Sequence, residues 1–213
     1  MTTIVATRHD IAGSTAKRAV DVTLASLALV LLSPVMAAAW LAVRCTSRGP
    51  GLSSQERVGL HGEPFTIYKF RSMRVDGDDS EHRAHAVALI VDPDAERTDN
   101  GTFKLTDCRV TRVGKLIRAT SIDELPQLWN VVRGDMSLVG PRPMLDYEDE
   151  HVTGRHRERT NARPGMTGLW QVSGRSDIST REMLDLDVQY VEEWSFVRDV
   201  VILLKTPLAL VGR

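Results

Sequence analysis

LALVLLSPVMAAAWLAV, Leu27–Val43, is the centre of an uncharged run that starts at Val22, after Asp21, and ends before Arg44. As a straight helix, Val22–Val43 would reach roughly 33 Å, enough to cross the hydrocarbon core of a bilayer. Ser33-Pro34 sits in its middle. Pro34 has no N–H and clashes with the carbonyl four residues back, which kinks or breaks a helix. The Ser33 hydroxyl can bond a freed carbonyl, so that a break is tolerable in lipid. Lys and Arg favour the cytoplasmic side, and they flank both ends: Arg8, Lys17 and Arg18 before, Arg44 and Arg48 after. A crossing helix would put one of these clusters outside, whereas a segment that enters and turns back keeps both inside. Spanning helices also contain proline, so composition alone leaves both paths open. A signal peptide is set aside, because the run exceeds the usual apolar region and arginines follow it in place of a cleavage site.

Outward from this segment, 213 residues leave room for one substantial domain. With 42% hydrophobic and 26% charged residues the chain is neither globally disordered nor collagen-like. Cys45 and Cys108 form no CxxC, so neither a disulfide framework nor a zinc site is expected, and a reducing compartment fits. The net charge of −1 hides an asymmetry. Residues 76–100 carry eight acids against Arg83 and Arg97, which leaves the rest of the chain net positive. A basic body beside an apolar segment suits anionic lipid or phosphorylated ligands. The acidic stretch reads as a solvated, partly disordered insertion. No nucleic-acid module is seen; lipid and phosphate account for the basic residues.

Residues 52–74 read as a β-hairpin, with His61-Gly62 and Pro64 at the turn and Phe65, Ile67 and Tyr68 as β-favouring flanks. RVTRVGKLIRA (109–119) has the spacing of an amphipathic helix, either interfacial or core-facing with a basic outer side. Residues 163–175 read as a Gly- and Pro-punctuated loop. Ser179 and Glu182 open a helix with a capping box, and Met183, Leu186, Tyr190 and Trp194 form its apolar stripe. The last stretch, 200–213, is too short to span and reads as an interfacial or docking helix broken near Pro207. No internal repeat is apparent.

Chemistry concentrates in ATSIDELPQLWNVVRGDMSLVGPRP (119–143). Ser121-x-x-Glu124 matches a capping box, which would make Asp123 and Glu124 ordinary first-turn acids held ionised by helix-terminal N–H groups. The same geometry allows another use. Neighbouring side chains on a helix diverge by about 100°, so the two carboxylates would take different tasks: one attacks while the other holds a cation. A carboxylate can attack phosphorus to give an acyl phosphate. An anionic diphosphate target then needs Mg²⁺ and arginine to offset charge. Arg118, Arg133 and Arg142 are near in sequence, and Pro141 and Pro143 stiffen the loop that carries Arg142. His82 and His85 read as solvated. Trp170 with Gln171 can stack on a base or simply be buried. GxGxxG, P-loop, GxSxG and HExxH patterns are all missing from the chain.

KRAVDV before the Ser-Pro-broken run, YKFRSM, RVTRVGKLIRATSIDELPQLWNVVRGDMSLVGPRP and RPGMTGLWQVSGRS, in this order, resemble the bacterial sugar transferases over residues 17–212. These are monotopic polyprenyl-phosphate phosphoglycosyl transferases of the exopolysaccharide-initiating type. The resemblance implies an α+β, mostly helical protein: an N-terminal tail (1–16), a re-entrant helix–break–helix at Ser33-Pro34 (17–48) and a catalytic domain (49–213). That domain would carry a small β-hairpin, interfacial amphipathic helices and an acidic insertion at about 76–105. It further implies transfer of a sugar phosphate from a UDP-sugar, commonly UDP-glucose or UDP-galactose, to polyprenyl (undecaprenyl) phosphate, with release of UMP. This would be the first membrane step of exopolysaccharide, capsule or O-antigen synthesis, at the cytoplasmic face of the inner membrane. Asp123 would be the nucleophile that carries a phosphosugar–aspartyl intermediate, and Glu124 would bind Mg²⁺. Arg118 and Pro141-Arg142-Pro143 would contact phosphates or nucleotide. Membrane lipid is an expected partner, and a homodimer is the assembly that analogy suggests. The competing readings are a non-enzymatic membrane-anchored interaction protein, with no UMP release, and an integral protein with its domain outside.

Overall fold

The computed structural model describes residues 11–74, 80–91, 110–174 and 178–211. The described residues are mostly helical, with two small two-stranded sheets. Helix α1 (Thr15–Thr46) opens on Ser14, whose hydroxyl accepts from Lys17 N–H. It is long and apolar enough to cross a membrane. It starts two residues before the expected boundary, and it runs on through Pro34 in place of two helices with a break between them. The reason lies in one bond. Pro34 cannot donate to the carbonyl of Val30, and the Ser33 hydroxyl donates to that carbonyl instead, at 2.8 Å. Beside this point Val30 and Leu31 are 72% and 76% exposed, an apolar surface left open among the described residues.

The opposite face of α1 is buried at helical spacing. Its first half meets Leu128, Val131 and Met136 through Ala25, Leu29 and Leu32. Its second half meets Phe70 and Ile117 through Met36, Ala39 and Val43. Both ends are also locked by polar contacts. Lys17 Nζ donates to Asp199 at 2.6 Å, and Asp21 accepts from Ser137 Oγ at 2.7 Å. At the far end buried Arg71 donates to the carbonyls of Ser47 and Arg48.

The expected hairpin is present as β1 (Leu52–Val58) and β2 (Pro64–Phe70), antiparallel, with Val58 opposite Pro64. His61 and Gly62 take the left-handed conformation at the turn. Within the acidic insertion α2 (Ser80–Val91) is a helix whose Ile90 joins a cluster with Met144, Val152, Met183 and Leu184. This part is therefore built into the domain rather than solvated, because an apolar position found a surface to cover. The rest of 76–105 lies outside the described residues, as do the side chains of His82 and His85.

The helix expected over 109–119 is α3 (Arg112–Ala119), capped by Thr111. Ile117 faces the core and Leu116 points outward. A one-turn 3₁₀ segment (Ile122–Glu124) leads to α4 (Gln127–Arg133) and β3 (Ser137–Val139). After α5 (Asp146–Asp149) comes a 3₁₀ stretch (Gly154–Asn161). The expected loop of 163–175 is in part ordered secondary structure: β4 (Gly165–Thr167), parallel to β3, and α6 (Leu169–Ser173). Its glycines permit this, since a Cβ on Gly165 would stand 2.1 Å from the backbone nitrogen of Gly140. Helix α7 (Thr180–Glu192) has the expected Ser179–Glu182 capping box. Helix α8 (Phe196–Val211) passes through Pro207 without the expected break; the ring lies on the exposed side, where a helix bends most easily.

Candidate active site

The turn between α3 and α4 carries the two acids, and three local features aim it. Gly114 of α3 lies on the strand extension after β2, where a Cβ would stand 1.9 Å from the Ser72 carbonyl oxygen. Ser121 takes a left-handed backbone (φ 56). Its hydroxyl therefore makes no cap bond, and the expected Ser121–Glu124 capping box does not form. Asn130, fully buried on α4, replaces a missing strand beside β2: it donates to the Thr66 carbonyl at 2.7 Å and accepts from Tyr68 N–H at 3.2 Å. These contacts bring β2 and the acidic turn together.

Asp123 is 8% exposed and Glu124 is accessible beside it. Lys69 of β2 donates to Glu124 at 3.1 Å. The Asp123 carboxyl is pushed up to about 6, first by burial and then by the adjacent Glu124 charge; Lys69 and Arg118 pull it the other way. Helix-terminal N–H groups thus do not set its ionisation, as the sequence pattern had suggested; burial does. At neutral pH Asp123 is still mostly ionised, and a more basic carboxylate is a better nucleophile.

Two further arginines face this region. Arg57 of β1 donates to the Pro143 carbonyl at 3.1 Å and lies 4.0 Å from Glu148. Burial lowers the pKa of its guanidinium, against the pull of Glu148 and Glu124. The guanidinium of Arg142 stands over the Trp170 ring, 5.8 Å from its centre. The Arg142 backbone is gripped on both sides: its N–H donates to Asp187 at 3.2 Å, and its carbonyl accepts from Arg159. Arg159 and Asp187 are themselves a buried pair at 2.9 Å. The Pro141-Arg142-Pro143 loop is therefore fixed by an ion pair as well as by its prolines. Burial raises the Asp187 carboxyl, with Arg159 opposing.

Of the residues singled out in sequence, Asp123, Glu124 and Arg118 come together, with Arg142 joined to them through Arg57. Arg133 does not join; it pairs with Asp135 at the far end of α4. No local pattern singles out Lys69, Arg57, Asp187, Arg159 or Asn130. Lys69 stood within YKFRSM, and its place beside Phe70 on a strand that reaches the acidic turn was the available signal. Among the described residues no group of three or more His, Cys, Asp and Glu side chains is placed to hold a metal ion. Mg²⁺ keeps most of its water and takes one or two carboxylates plus substrate phosphates. Glu124 and Asp123 fit such a substrate-completed site, and do not fit an all-protein one.

A domain that carries a long apolar helix, and buried Asp123 beside a more accessible Glu124 with Lys69, Arg118 and Arg57 near them, has the makeup of an enzyme that handles anionic substrates. The chain belongs to the bacterial sugar transferase family, whose model matches residues 12–213, and it is a transferase. It is 42% identical to the exopolysaccharide production protein ExoY of Rhizobium meliloti, over 91% of this chain and 84% of that one. It is 42% identical to an undecaprenyl-phosphate galactose phosphotransferase of Salmonella typhimurium, over 92% of this chain and 40% of that protein. A UDP-glucose:undecaprenyl-phosphate glucose-1-phosphate transferase of Caulobacter vibrioides is 44% identical over 89% of this chain and 67% of its own length. The chain thus spans most of ExoY and well under half of the Salmonella protein.

Proposed function

We propose that this transferase moves a sugar phosphate from a UDP-sugar to polyprenyl phosphate, releasing UMP, at the cytoplasmic face of the bacterial inner membrane. The observation that carries the reading is buried Asp123, with its raised carboxyl, beside Glu124 within a ring of basic groups. A carboxylate oxygen of Asp123 attacks the β-phosphorus. The bond from that phosphorus to the oxygen bridging to the α-phosphate breaks, and UMP leaves with the electron pair. The aspartyl phosphosugar then meets the phosphate oxygen of the polyprenyl carrier, which attacks the same phosphorus and returns the Asp123 carboxylate. Lys69, Arg118, Arg57 and Arg142 bind and orient the phosphates. Glu124 would hold Mg²⁺ when bound, and the ion would neutralise charge on the diphosphate. The sugar is glucose or galactose, in keeping with the names of the relatives, and the reaction starts an exopolysaccharide, capsule or O-antigen chain.

Re-entry of α1 is supported by its two anchored ends. Lys17 and Arg71 tie opposite ends to one domain, so a domain on the cytoplasmic side keeps both ends there. The apolar surface around Val30, Leu31 and Pro34 is then the part that enters lipid. The exposed Val197, Leu204 and Leu208 of α8 offer a second apolar surface to the interface.

The test is UMP release by the full chain in nanodiscs, with Mg²⁺, polyprenyl phosphate and a panel of UDP-sugars. Release with one or two sugars that disappears on chelation establishes the reaction and its donor. Release that is equal without polyprenyl phosphate and with any UDP-sugar would show hydrolysis and sink the transfer assignment.

A further inference from the structure

At the start of α1 the surface opens into a cavity of about 550 Å³ that the transfer chemistry does not use. Its lining includes Arg18 and Arg163 together with Ser14, Ala19, Val22 and Thr23. Each arginine is held by carbonyls at the end of α4. Arg18 donates to Val131 at 2.6 Å and Val132 at 2.9 Å. Arg163 donates to Gly134 at 3.0 Å and to Ala12 at 2.8 Å. A guanidinium has five N–H donors, so each keeps donors beyond those bonds. Neither has an ion-pair partner among the described residues: the nearby Asp21 and Asp135 are taken by Lys17 and Arg133. Asp21 and Asp135 still act on Arg18 at longer range, but two immobilised guanidiniums with donors to spare in one cavity form a site for a phosphate group.

The cavity floor says what carries that phosphate. Ala19 begins an exposed stripe that continues at helical spacing through Thr23 and Leu27 to Val30 and Leu31, the surface that enters lipid in the function proposed above. A phosphate between the arginines would therefore sit at headgroup depth with an apolar path leading away from it. We propose that this cavity binds the headgroup of an anionic phospholipid and so sets the depth at which the start of α1 rests. The polyprenyl acceptor is not its occupant. The arginines cap the C-terminal end of α4, whereas Asp123 precedes its N-terminal end; seven helical residues at 1.5 Å each put the ends about 10 Å apart. A phosphate in the cavity is out of reach of the aspartyl group.

The experiment is native mass spectrometry of the full chain in neutral detergent, titrated separately with short-chain phosphatidylglycerol, phosphatidylcholine of the same chain length, polyprenyl phosphate and inorganic phosphate. One phosphatidylglycerol should stay bound per chain, at least tenfold more tightly than phosphatidylcholine. Arg163→Ala should abolish the preference and Arg163→Lys should keep part of it. Ala19→Glu, which puts a carboxylate at the cavity wall without touching the arginine–carbonyl bonds, should abolish it too, so a folding defect at Arg163 does not decide the matter. Equal retention of both phospholipids, or unchanged phosphatidylglycerol binding in Ala19→Glu, overturns the site. Displacement by polyprenyl phosphate or by inorganic phosphate at equal concentration overturns the lipid assignment. The titration is repeated on Asp123→Asn: retained binding there with no UMP release separates this site from the catalytic reading.

Discussion

Asp123 shows how burial decides a residue's chemistry. Its carboxyl at about 6 is favoured in the neutral form by about 3 kcal/mol at most, taking 1.36 kcal/mol per tenfold change. The folded chain thus binds more protons than the unfolded one between the ordinary carboxylate value and about 6, and stability falls as pH rises through that interval. Asp123→Asn should therefore abolish UMP release and raise the melting temperature at pH 8; an unchanged or lower melting temperature would contradict the burial argument. In the parent chain the attacking form is the ionised one. UMP release should hold steady above pH 7 and fall toward tenfold per pH unit well below 6, measured as rate against pH at saturating UDP-sugar. Asp187 acts at one remove. Asp187→Asn removes the charge that holds Arg159, leaving the longer Asp149 contact at 3.8 Å, and loosens the hold on the Arg142 backbone. The expected result is a KM for UDP-sugar raised on the order of tenfold with a smaller change in kcat; an unmoved KM would show that Arg142 needs no such hold.

At the scale of elements, α1 joins membrane and site. Ser33 supplies for Val30 the donor that Pro34 lacks, so the helix survives its proline. Pro34→Ala restores the N–H and removes the ring clash, which favours a straight span. Exposed Cys45 near one end, and Ala16→Cys near the other, give labelling sites in a Cys108→Ser background. With an impermeant thiol reagent on intact cells, both positions should stay unlabelled, and Pro34→Ala should expose Ala16→Cys in part of the population. Labelling of one end alone without Pro34→Ala would establish a crossing helix.

The whole molecule is held at α1, α7 and α8 by one buried network. Asp199 accepts from Lys17 at 2.6 Å, Tyr190 at 2.8 Å and Trp194 at 3.1 Å, while Tyr190 also donates to the Val139 carbonyl. Removing one member of a buried pair leaves the other charge uncompensated, at roughly 3–5 kcal/mol. Lys17→Met should lower the unfolding midpoint in detergent accordingly. Lys17→Met with Asp199→Asn should recover part of the loss, and purely additive losses would mean that the pair is not coupled.

Local order and local chemistry were legible in the chain itself. The apolar run of α1, the turn at His61-Gly62 and the Ser179 capping box depend on neighbours a few residues away, through periodicity, backbone freedom and caps, whereas the acidic pair, expected in the first turn of a capped helix, stands in a 3₁₀ segment without that cap. The parallel pairing of β3 with β4 and the helix within the acidic insertion do not show, because contacts distant in sequence override local signals there, and α8 continues through Pro207 because the ring lies on its exposed side. The site divides in the same way. Asp123, Glu124, Arg118 and the Pro-bracketed Arg142 lie within one stretch and announce themselves by spacing. Lys69, Arg57, Arg159 and Asp187 come from strands and helices up to about 130 residues apart. Only folding brings them together, and burial, a property of the whole packed molecule, is the largest of the effects that move the carboxyl of Asp123.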